Sequence, residues 1–197
     1  MKRLVVASNN EGKIREIRTV LAPLGIEVVP QGELGVSEAQ EPHGTFVENA
    51  LAKARHAAAA TGLPALADDS GICVDALDGA PGVFSARLAG DPRSDQRNND
   101  RLLELMARHD NRNAHYYCVI VLLRYAQDPR PLISEGDWHG EILRAPRGTG
   151  GFGYDPLFLD PRLGKTGAEL PRVEKNRVSH RGKALAALVE KLGAEQA

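Results

Sequence analysis

The sequence has little of several features that define specialised protein classes. Only two cysteines occur among 197 residues, and Cys73 and Cys118 stand far apart, outside any CxxC or Cys/His cluster, which argues against a zinc site. Acidic and basic residues nearly cancel, leaving a formal net charge of −1, so no overall field favours duplex nucleic acid or an anionic membrane. No apolar run approaches the roughly 20 residues that a membrane helix needs. We therefore expect no nucleic-acid partner and no membrane partner.

The chain also lacks signs of secretion and of several hydrolase classes. Met1-Lys2-Arg3 leads at once into a strand-like segment, without the apolar stretch and cleavage site of a signal peptide, so we expect a cytoplasmic protein. No Ser-His-Asp order, nucleophilic cysteine context or HExxH motif is present, which leaves acyl transfer and zinc proteolysis without support. The length suits a single domain over residues 1–197.

Hydrophobic periodicity predicts alternating strands and helices. Predicted helices follow the first strand to about Gly25, run from a Thr45 capping box to Gly62, and cover 95–109 and 180–192. Predicted strands cover 4–8, 26–29, 63–68, 115–126, 132–138 and 140–145. Early alternation followed by hairpin-like segments favours an α/β protein with a mixed sheet. The strand at 63–68 is predicted to stop at two adjacent acids, Asp68 and Asp69.

The segment "ASNNEGKI", residues 7–14, lies where the first strand gives way to a helix. Backbone N–H groups at a helix N-terminus, with Asn9, Asn10 and Lys13 close by, could bind phosphate. It is not a Walker A loop, because Ala7 stands at the first glycine position and Ile14 where Ser or Thr is required. A turn that only caps the helix is the alternative.

Glu41, Asp68 and Asp69 form a candidate acidic set. Mg²⁺ prefers oxygen ligands and is often held by one or two carboxylates together with substrate phosphates. Carboxylates at the end of a parallel-type strand also lie where ligand crevices form in α/β sheets. The alternatives are a solvated turn for the aspartate pair and a polar loop for Glu41.

The segment "GTGGFGYDP", residues 148–156, contains the GxGxxG pattern of dinucleotide-binding sites. No helix is predicted after it, so the context that this motif requires is missing. Its glycines would let the backbone approach a ligand closely, and Phe152 and Tyr154 could stack on a flat ring. Asp155 could accept hydrogen bonds from a ring N–H or a hydroxyl. A glycine-rich hairpin with aromatic packing is the alternative.

The segment "EKNRVSHRGKAL", residues 174–185, supplies cations before and within the start of the last helix. Lys175, His180 and Arg181 could bind phosphates or base carbonyls, and arginine suits planar recognition of these groups. An exposed basic helix start is the alternative. Taken together, the four segments predict a site for a nucleoside polyphosphate.

The same segments, together with "GTFVENALAKARHAA" and "LPALADDSGICVDALDGAPGVFSAR", closely resemble the non-canonical purine nucleoside triphosphate pyrophosphatases, the Ham1-like inosine/xanthosine triphosphatases. The resemblance runs in order from about residue 4 to 192. It implies Mg²⁺-dependent hydrolysis of dITP, ITP or XTP to the monophosphate and pyrophosphate, by a homodimer that cleanses the nucleotide pool. The implied fold is an elongated mixed β-sheet with flanking helices, in two lobes with the active cleft between them.

The resemblance also implies a role for each matching residue. Asp69 matches the catalytic proton acceptor and a metal ligand, and Asp68 is a further candidate ligand. Substrate contacts fall on Ser8, Asn9, Asn10, Glu11, Gly12, Lys13, Lys53, Ser70, Phe152, Gly153, Tyr154, Asp155, Lys175, His180 and Arg181. Among these, Lys13 and Lys53 would stabilise phosphate charge, and Arg181 would donate to the carbonyl at C6 of the purine.

One departure from the family pattern concerns the metal. Family members commonly read Glu-Glu-Thr-Gly before the "TFxENA" helix, whereas this chain reads Gln40-Glu41-Pro42-His43-Gly44. We assign the ligand to Glu41, which keeps a carboxylate, over Gln40. Two other functions stay open from the sequence: a related pyrophosphatase acting on pyrimidine nucleotides, and a nucleotide sensor without turnover.

Overall fold

The structure is a computed structural model that describes residues 1–194. Its helices are α1 (Glu11–Leu21), α2 (Phe46–Thr61), α3 (Asp95–Met106), α4 (Arg172–Val178) and α5 (His180–Ala194). Its strands are β1 (Arg3–Val6), β2 (Glu27–Pro30), β3 (Ala65–Val74), β4 (Asn113–Leu123), β5 (Leu132–Ile142), β6 (Phe158–Asp160) and β7 (Lys165–Thr166). Short 3₁₀ helices complete several of the connections.

The seven strands form one mixed sheet in the order β2-β1-β3-β4-β5-β6-β7. β1 pairs in parallel with β2 and with β3, whereas β6 pairs antiparallel with β5 and with β7. The predicted α/β class with a mixed sheet is therefore confirmed.

The chain divides into two compact units, each with its own core. The first comprises Met1–Asp69, Cys118–Gly136 and residues 181–194, and its core joins α1, α5 and the strands β1–β4 through side chains such as Ile17, Leu66, Ile120 and Leu188. The second comprises Ser70–Tyr117 and Asp137–His180, and its core contains Trp138, Phe158, Met106 and Ile72.

Local sequence explains where the first two helices begin and end. Asn10 caps α1 by accepting a hydrogen bond from the Lys13 backbone N–H at 3.1 Å. Thr45 caps α2 by accepting from the Glu48 N–H, and Gly62, at φ +67°, ends it in the left-handed conformation that glycine adopts without steric cost. The helix predicted from Thr45 to Gly62 is confirmed.

Two sequence predictions about element boundaries are wrong, and one helix was missed. β3 does not stop at Asp68 but continues to Val74, so the two acids lie within the strand. The two strands predicted at 132–138 and 140–145 are one strand, β5, in which Gly140 marks a close approach: a Cβ there would lie 2.3 Å from the Leu159 carbonyl oxygen. The helix α4, which precedes α5, was not predicted.

Among residues 1–194 we find no helix whose length and hydropathy would suit a membrane crossing.

Candidate active site

Asp68 and Asp69 occupy consecutive positions in β3, where successive side chains point to opposite faces of the sheet. Both side chains are buried, at 2% and 7% residue exposure. Each carboxylate meets a different set of cations, and this is how two adjacent acids are accommodated inside the protein.

Asp68 Oδ2 lies 3.0 Å from the Lys13 ammonium and 3.1 Å from Arg181 Nε. The Arg181 side chain is almost completely buried, and its Nη1 donates to Glu16 at 2.8 Å. Burial acts to raise the pKa of Asp68, but Lys13 and Arg181 outweigh burial and hold that pKa well below its usual range. Asp68 is therefore ionised at neutral pH and fixes the position of two cations.

Asp69 Oδ1 accepts a hydrogen bond from the Lys53 ammonium at 2.9 Å, and the same ammonium donates to Glu41 Oε1 at 2.7 Å. Among the described residues, the buried Oδ2 of Asp69 has no hydrogen-bond partner. Burial raises the pKa of Asp69 despite the opposing charge of Lys53. A carboxylate with a raised pKa and an available oxygen is suited to accept a proton near neutral pH.

The segment from Ser8 to Lys13 forms the turn into α1 and its first residues. The Asn10 N–H donates to Ser8 Oγ at 3.1 Å, while the Asn9 amide donates to Glu38 at 3.2 Å. Glu11 projects into solvent with its side chain 88% exposed, so this residue and Gly12 would meet an anion through their backbone N–H groups. The segment therefore lies at a helix N-terminus, with Lys13 directed towards Asp68, and the anion site there stays a prediction.

A buried asparagine in α2 fixes the loop that carries Glu41. Asn49 is 1% exposed; its side chain accepts from the His43 N–H at 3.1 Å and donates to the His43 carbonyl at 3.2 Å. These two hydrogen bonds fix the N–H and the carbonyl of His43, which lies two residues after Glu41. The sequence reasoning missed Asn49, although an asparagine on the apolar side of an alanine-rich helix is a usable signal, since a buried amide requires partners.

Asp155 organises the loop at 151–155. It is 3% exposed, accepts from the Phe152 N–H at 2.8 Å and forms an ion pair with Lys175. A Cβ at Gly151 would lie 2.0 Å from Asp155 Oδ2, and one at Gly167 2.7 Å from Oδ1, so both glycines are required by the close approach of the backbone. These contacts give Asp155 a structural function in the loop, besides the predicted hydrogen bond to a ligand.

The two aromatic residues of this loop have different environments. Tyr154 is buried in the core of the second unit, where its hydroxyl donates to the Ser85 carbonyl at 2.7 Å. Phe152 is partly exposed, and the Lys175 ammonium lies 4.7 Å from its ring centroid. The predicted stacking surface thus reduces to Phe152, because the Tyr154 ring already packs in the core.

His180 begins α5 and stacks on Tyr116, with ring centroids 4.6 Å apart and ring planes inclined by only 6°. Both rings are buried. Ser70 follows Asp69 in β3 and is partly buried.

The residues available for a metal ion are few. Within residues 1–194, no group of three or more His, Cys, Asp or Glu side chains could hold a metal ion by itself. Glu41 and Asp69 nevertheless converge on one cation, the Lys53 ammonium, and Asp69 keeps a buried oxygen available. Two carboxylates suit Mg²⁺, which takes its remaining ligands from water and phosphates. The chemistry of this donor set therefore fits Mg²⁺, which Glu41 and Asp69 would hold.

Comparison with known proteins identifies the family of this chain. The sequence model of the Ham1 family matches residues 4–191. The chain belongs to the Ham1 family. Among its relatives, the dITP/XTP pyrophosphatase of Nitrosomonas europaea is 68% identical, with 98% of this chain and 95% of the relative covered. The dITP/XTP pyrophosphatase of Ralstonia nicotianae is 65% identical, covering 98% and 97% of the two chains.

Solved structures show the same Ham1 fold. A HAM1 protein from Coxiella burnetii superposes with a TM-score of 0.92 at 49% identity, covering 98% of this chain and 100% of the other. A nucleoside-triphosphatase, or dITP/XTP pyrophosphatase, from Mycobacterium abscessus gives a TM-score of 0.75 at 41% identity, covering 95% and 98%.

Within this Ham1 protein, the predicted site residues form two groups, one in each unit. In the first unit, Asp68 forms ion pairs with Lys13 and Arg181, and Lys53 forms ion pairs with Asp69 and Glu41. In the second unit, Phe152, Asp155 and Lys175 contact one another directly.

Proposed function

We propose that this protein is a pyrophosphohydrolase that converts dITP, ITP and XTP to the monophosphate and pyrophosphate, and so keeps these nucleotides from incorporation into DNA and RNA. The observation that carries the proposal is the buried Asp69 carboxylate, bound to Lys53 on one oxygen and available on the other. The names and high identity of the relatives support the substrate class.

The phosphate chemistry is assigned to the first unit. A water oxygen attacks the α-phosphorus, Asp69 Oδ2 accepts the water proton, and the bond to pyrophosphate breaks with its electron pair leaving on oxygen. Lys13 and Lys53 stabilise the charge that develops on the phosphate oxygens. The backbone N–H groups from Ser8 to Gly12 orient the triphosphate. Glu41 and Asp69 would hold Mg²⁺, which when bound neutralises charge on phosphate oxygens.

Asp68 has a different role in this proposal. Its Oδ2 is already shared between Lys13 and Arg181, both within 3.1 Å, so we assign it to positioning these cations rather than to the metal. A fixed Lys13 loses little freedom when it meets a phosphate, which is the benefit of an oriented electrostatic group.

Base recognition is assigned to residues of the second unit. The partly exposed Phe152 ring offers a stacking face, and Lys175 and His180 supply donors. Gly153 and Asp155 shape the loop that carries Phe152. Hypoxanthine and xanthine carry an oxygen at C6 where adenine carries an amine. A donor left unpaired against adenine costs about 1–3 kcal/mol, so several contacts are needed for strong selection.

A product assay tests the function directly. The purified protein is incubated with dITP, XTP, dGTP, dATP and dTTP, with Mg²⁺ or with EDTA, and pyrophosphate is resolved from orthophosphate. We expect Mg²⁺-dependent pyrophosphate, with dITP and XTP strongly preferred. Orthophosphate would move the attack to the terminal phosphorus, a preference for dTTP would indicate the pyrimidine enzyme, and absence of turnover would favour the nucleotide sensor.

Two further properties implied by the family resemblance are proposed with it. We expect a homodimer, which light scattering coupled to size-exclusion chromatography would distinguish from a monomer. We also expect a cytoplasmic location, which cell fractionation would test.

A further inference from the structure

One face of α3 holds both backbone polar groups of Gly153, at the centre of the proposed base-binding loop. The Gly153 N–H donates to Asp95 Oδ2 at 2.7 Å, and the Gly153 carbonyl accepts from Asn99 Nδ2 at 2.8 Å. Asp95 and Asn99 are four residues apart, so one helical face presents both. The Asn99 amide also donates to the Asp95 carbonyl at 2.7 Å, which ties the two positions together.

The orientation of the Asn99 amide is fixed, and it leaves the amide oxygen without a hydrogen bond among the described residues. Because both of its neighbours are carbonyl oxygens, the Nδ2 side must face them. Its Oδ1 is then buried without a hydrogen-bond partner among residues 1–194, and the residue is only 8% exposed. An unsatisfied buried acceptor is unfavourable, so it persists where the donor contacts on the other side of the amide are required.

The contact between α3 and the loop is not closely packed. Asp95 and Asn99, together with residues 149–153, line a cavity of about 220 Å³. On this side of the loop, the polar bonds to Gly153 therefore make the connection to α3, while the buried Tyr154 and the bond from the Phe152 N–H to Asp155 hold the other side. Gly153 directly follows Phe152, so a displaced Gly153 peptide would displace the Phe152 ring.

We infer that Asp95 and Asn99 are positioning residues for purine selection, acting through Gly153 on the Phe152 ring. The inference rests on the proposed function of the 152–155 loop. Neither residue needs to touch the nucleotide. Their effect falls on base affinity and base preference, and it leaves the phosphate chemistry of the first unit unchanged.

Asp95→Leu is the informative variant, because Asp95 is exposed and its replacement does not disturb a core. Asp100→Leu is the matched control: Asp100 lies on the same helix, is exposed, lines the same cavity, and its side chain bonds to Gln96. Asp95→Asn is the conservative variant, since its amide oxygen can still accept from Gly153. Each variant is assayed with dITP and dGTP, with inorganic tripolyphosphate as a base-free inhibitor, and by calorimetry with dIMP.

For Asp95→Leu we expect KM for dITP and Kd for dIMP to rise about tenfold, because a small misplacement at a binding surface is enough for a loss of this size. The kcat should stay within about twofold, the dITP/dGTP ratio of kcat/KM should fall, and tripolyphosphate inhibition should be unchanged. Asp95→Asn and Asp100→Leu should match the unaltered protein.

Unchanged KM and Kd in Asp95→Leu would overturn the inference, as would equal effects in Asp100→Leu or on tripolyphosphate inhibition. If the unaltered protein binds dIMP without turning over dITP, the proposed activity fails, and the dIMP affinities of the variants still decide the inference. If it turns over dITP but binds no dIMP, the KM values decide the inference, and if it neither binds dIMP nor turns over dITP, both fail.

Discussion

Replacing Arg181 by leucine separates two functions that this arginine could have. The sequence suggested a donor to the base, whereas the structure places the guanidinium against Asp68 and Glu16, with 3% of its side chain exposed. Removing one partner of a buried ion pair typically costs about 3–5 kcal/mol, because the other charge is left uncompensated. Since Lys13 remains 3.0 Å from Asp68, we take the lower end, about 3 kcal/mol.

The assay is thermal unfolding of the unaltered protein, Arg181→Leu, Asp68→Asn and the double variant. For a chain of this size, a loss of about 3 kcal/mol corresponds to a fall in Tm of roughly 6–12 °C. Arg181→Leu should cost less in the Asp68→Asn background, where Glu16 still loses its arginine partner but no charged Asp68 is left behind, and the difference gives the coupling between Arg181 and Asp68. Arg181→Lys, which keeps the charge, should recover part of the loss.

The pH dependence gives a second check with a defined sign. The pKa of Asp68 is lowered in the folded protein, so its stabilising contribution is complete above its unfolded pKa, about 3.9, and is lost as the pH falls towards the folded value. The stability difference between the unaltered protein and Arg181→Leu should therefore be largest at neutral pH and shrink below about pH 4. The reasoning is refuted if Arg181→Leu keeps its Tm and loses only base preference, which would return Arg181 to the base edge.

Three further predictions concern the reaction and the loop. Asp69→Asn should lower kcat by about 10²–10⁴-fold in the pyrophosphate-release assay, since proton transfer is lost, and a loss of less than tenfold would exclude Asp69 as the base. Lys53→Met removes the charge that holds the pKa of Asp69 down, so the acid limb of the kcat/KM profile should move to higher pH; an unmoved limb would contradict this assignment. Gly151→Ala should raise KM for dITP, because the new Cβ would lie 2.0 Å from Asp155 Oδ2. Gly153→Ala is the control for backbone strain, since Gly153 has a similar positive φ but no atom lies within 4 Å of its added Cβ. Equal KM values in the two glycine variants would show that the clash is not responsible.

Much of the fold could be predicted because the elements obey local rules. The Asn10 and Thr45 caps and the glycines that end helices are short-range signals, and the apolar periodicity of the core strands is equally local. The errors arose where long-range contacts decide the outcome. Two adjacent acids are typical of a strand end, but here cations from distant segments allow Asp68 and Asp69 to be buried within the strand. Gly140 suggested a break between two strands, but the glycine is there because β6 passes close to the backbone of a continuous β5.

For the candidate site, the sequence indicates residue types more readily than contacts. The pattern identified Lys53, Glu41 and Asp69 separately, and the structure joins them through one ammonium. It could not predict that Arg181 would be buried between two acids, because burial depends on packing across 113 residues of sequence separation. Side chains that act on the backbone of a distant loop, such as Asn99, carry no motif at all.

The two aspartates of β3 also constrain how that strand can pair. A shift of β3 by one residue would exchange their faces, bringing Asp69 towards Arg181 and Asp68 towards Lys53. Because a slipped strand would also turn the adjacent Ala67 and Ser70 to the wrong sides, charge matching and apolar burial select the same alignment. Two chemically identical residues thus acquire separate tasks from the pleat of the backbone alone. The correct register of this one strand is what separates Asp68, which holds two cations in place, from Asp69, to which we assign the uptake of a proton.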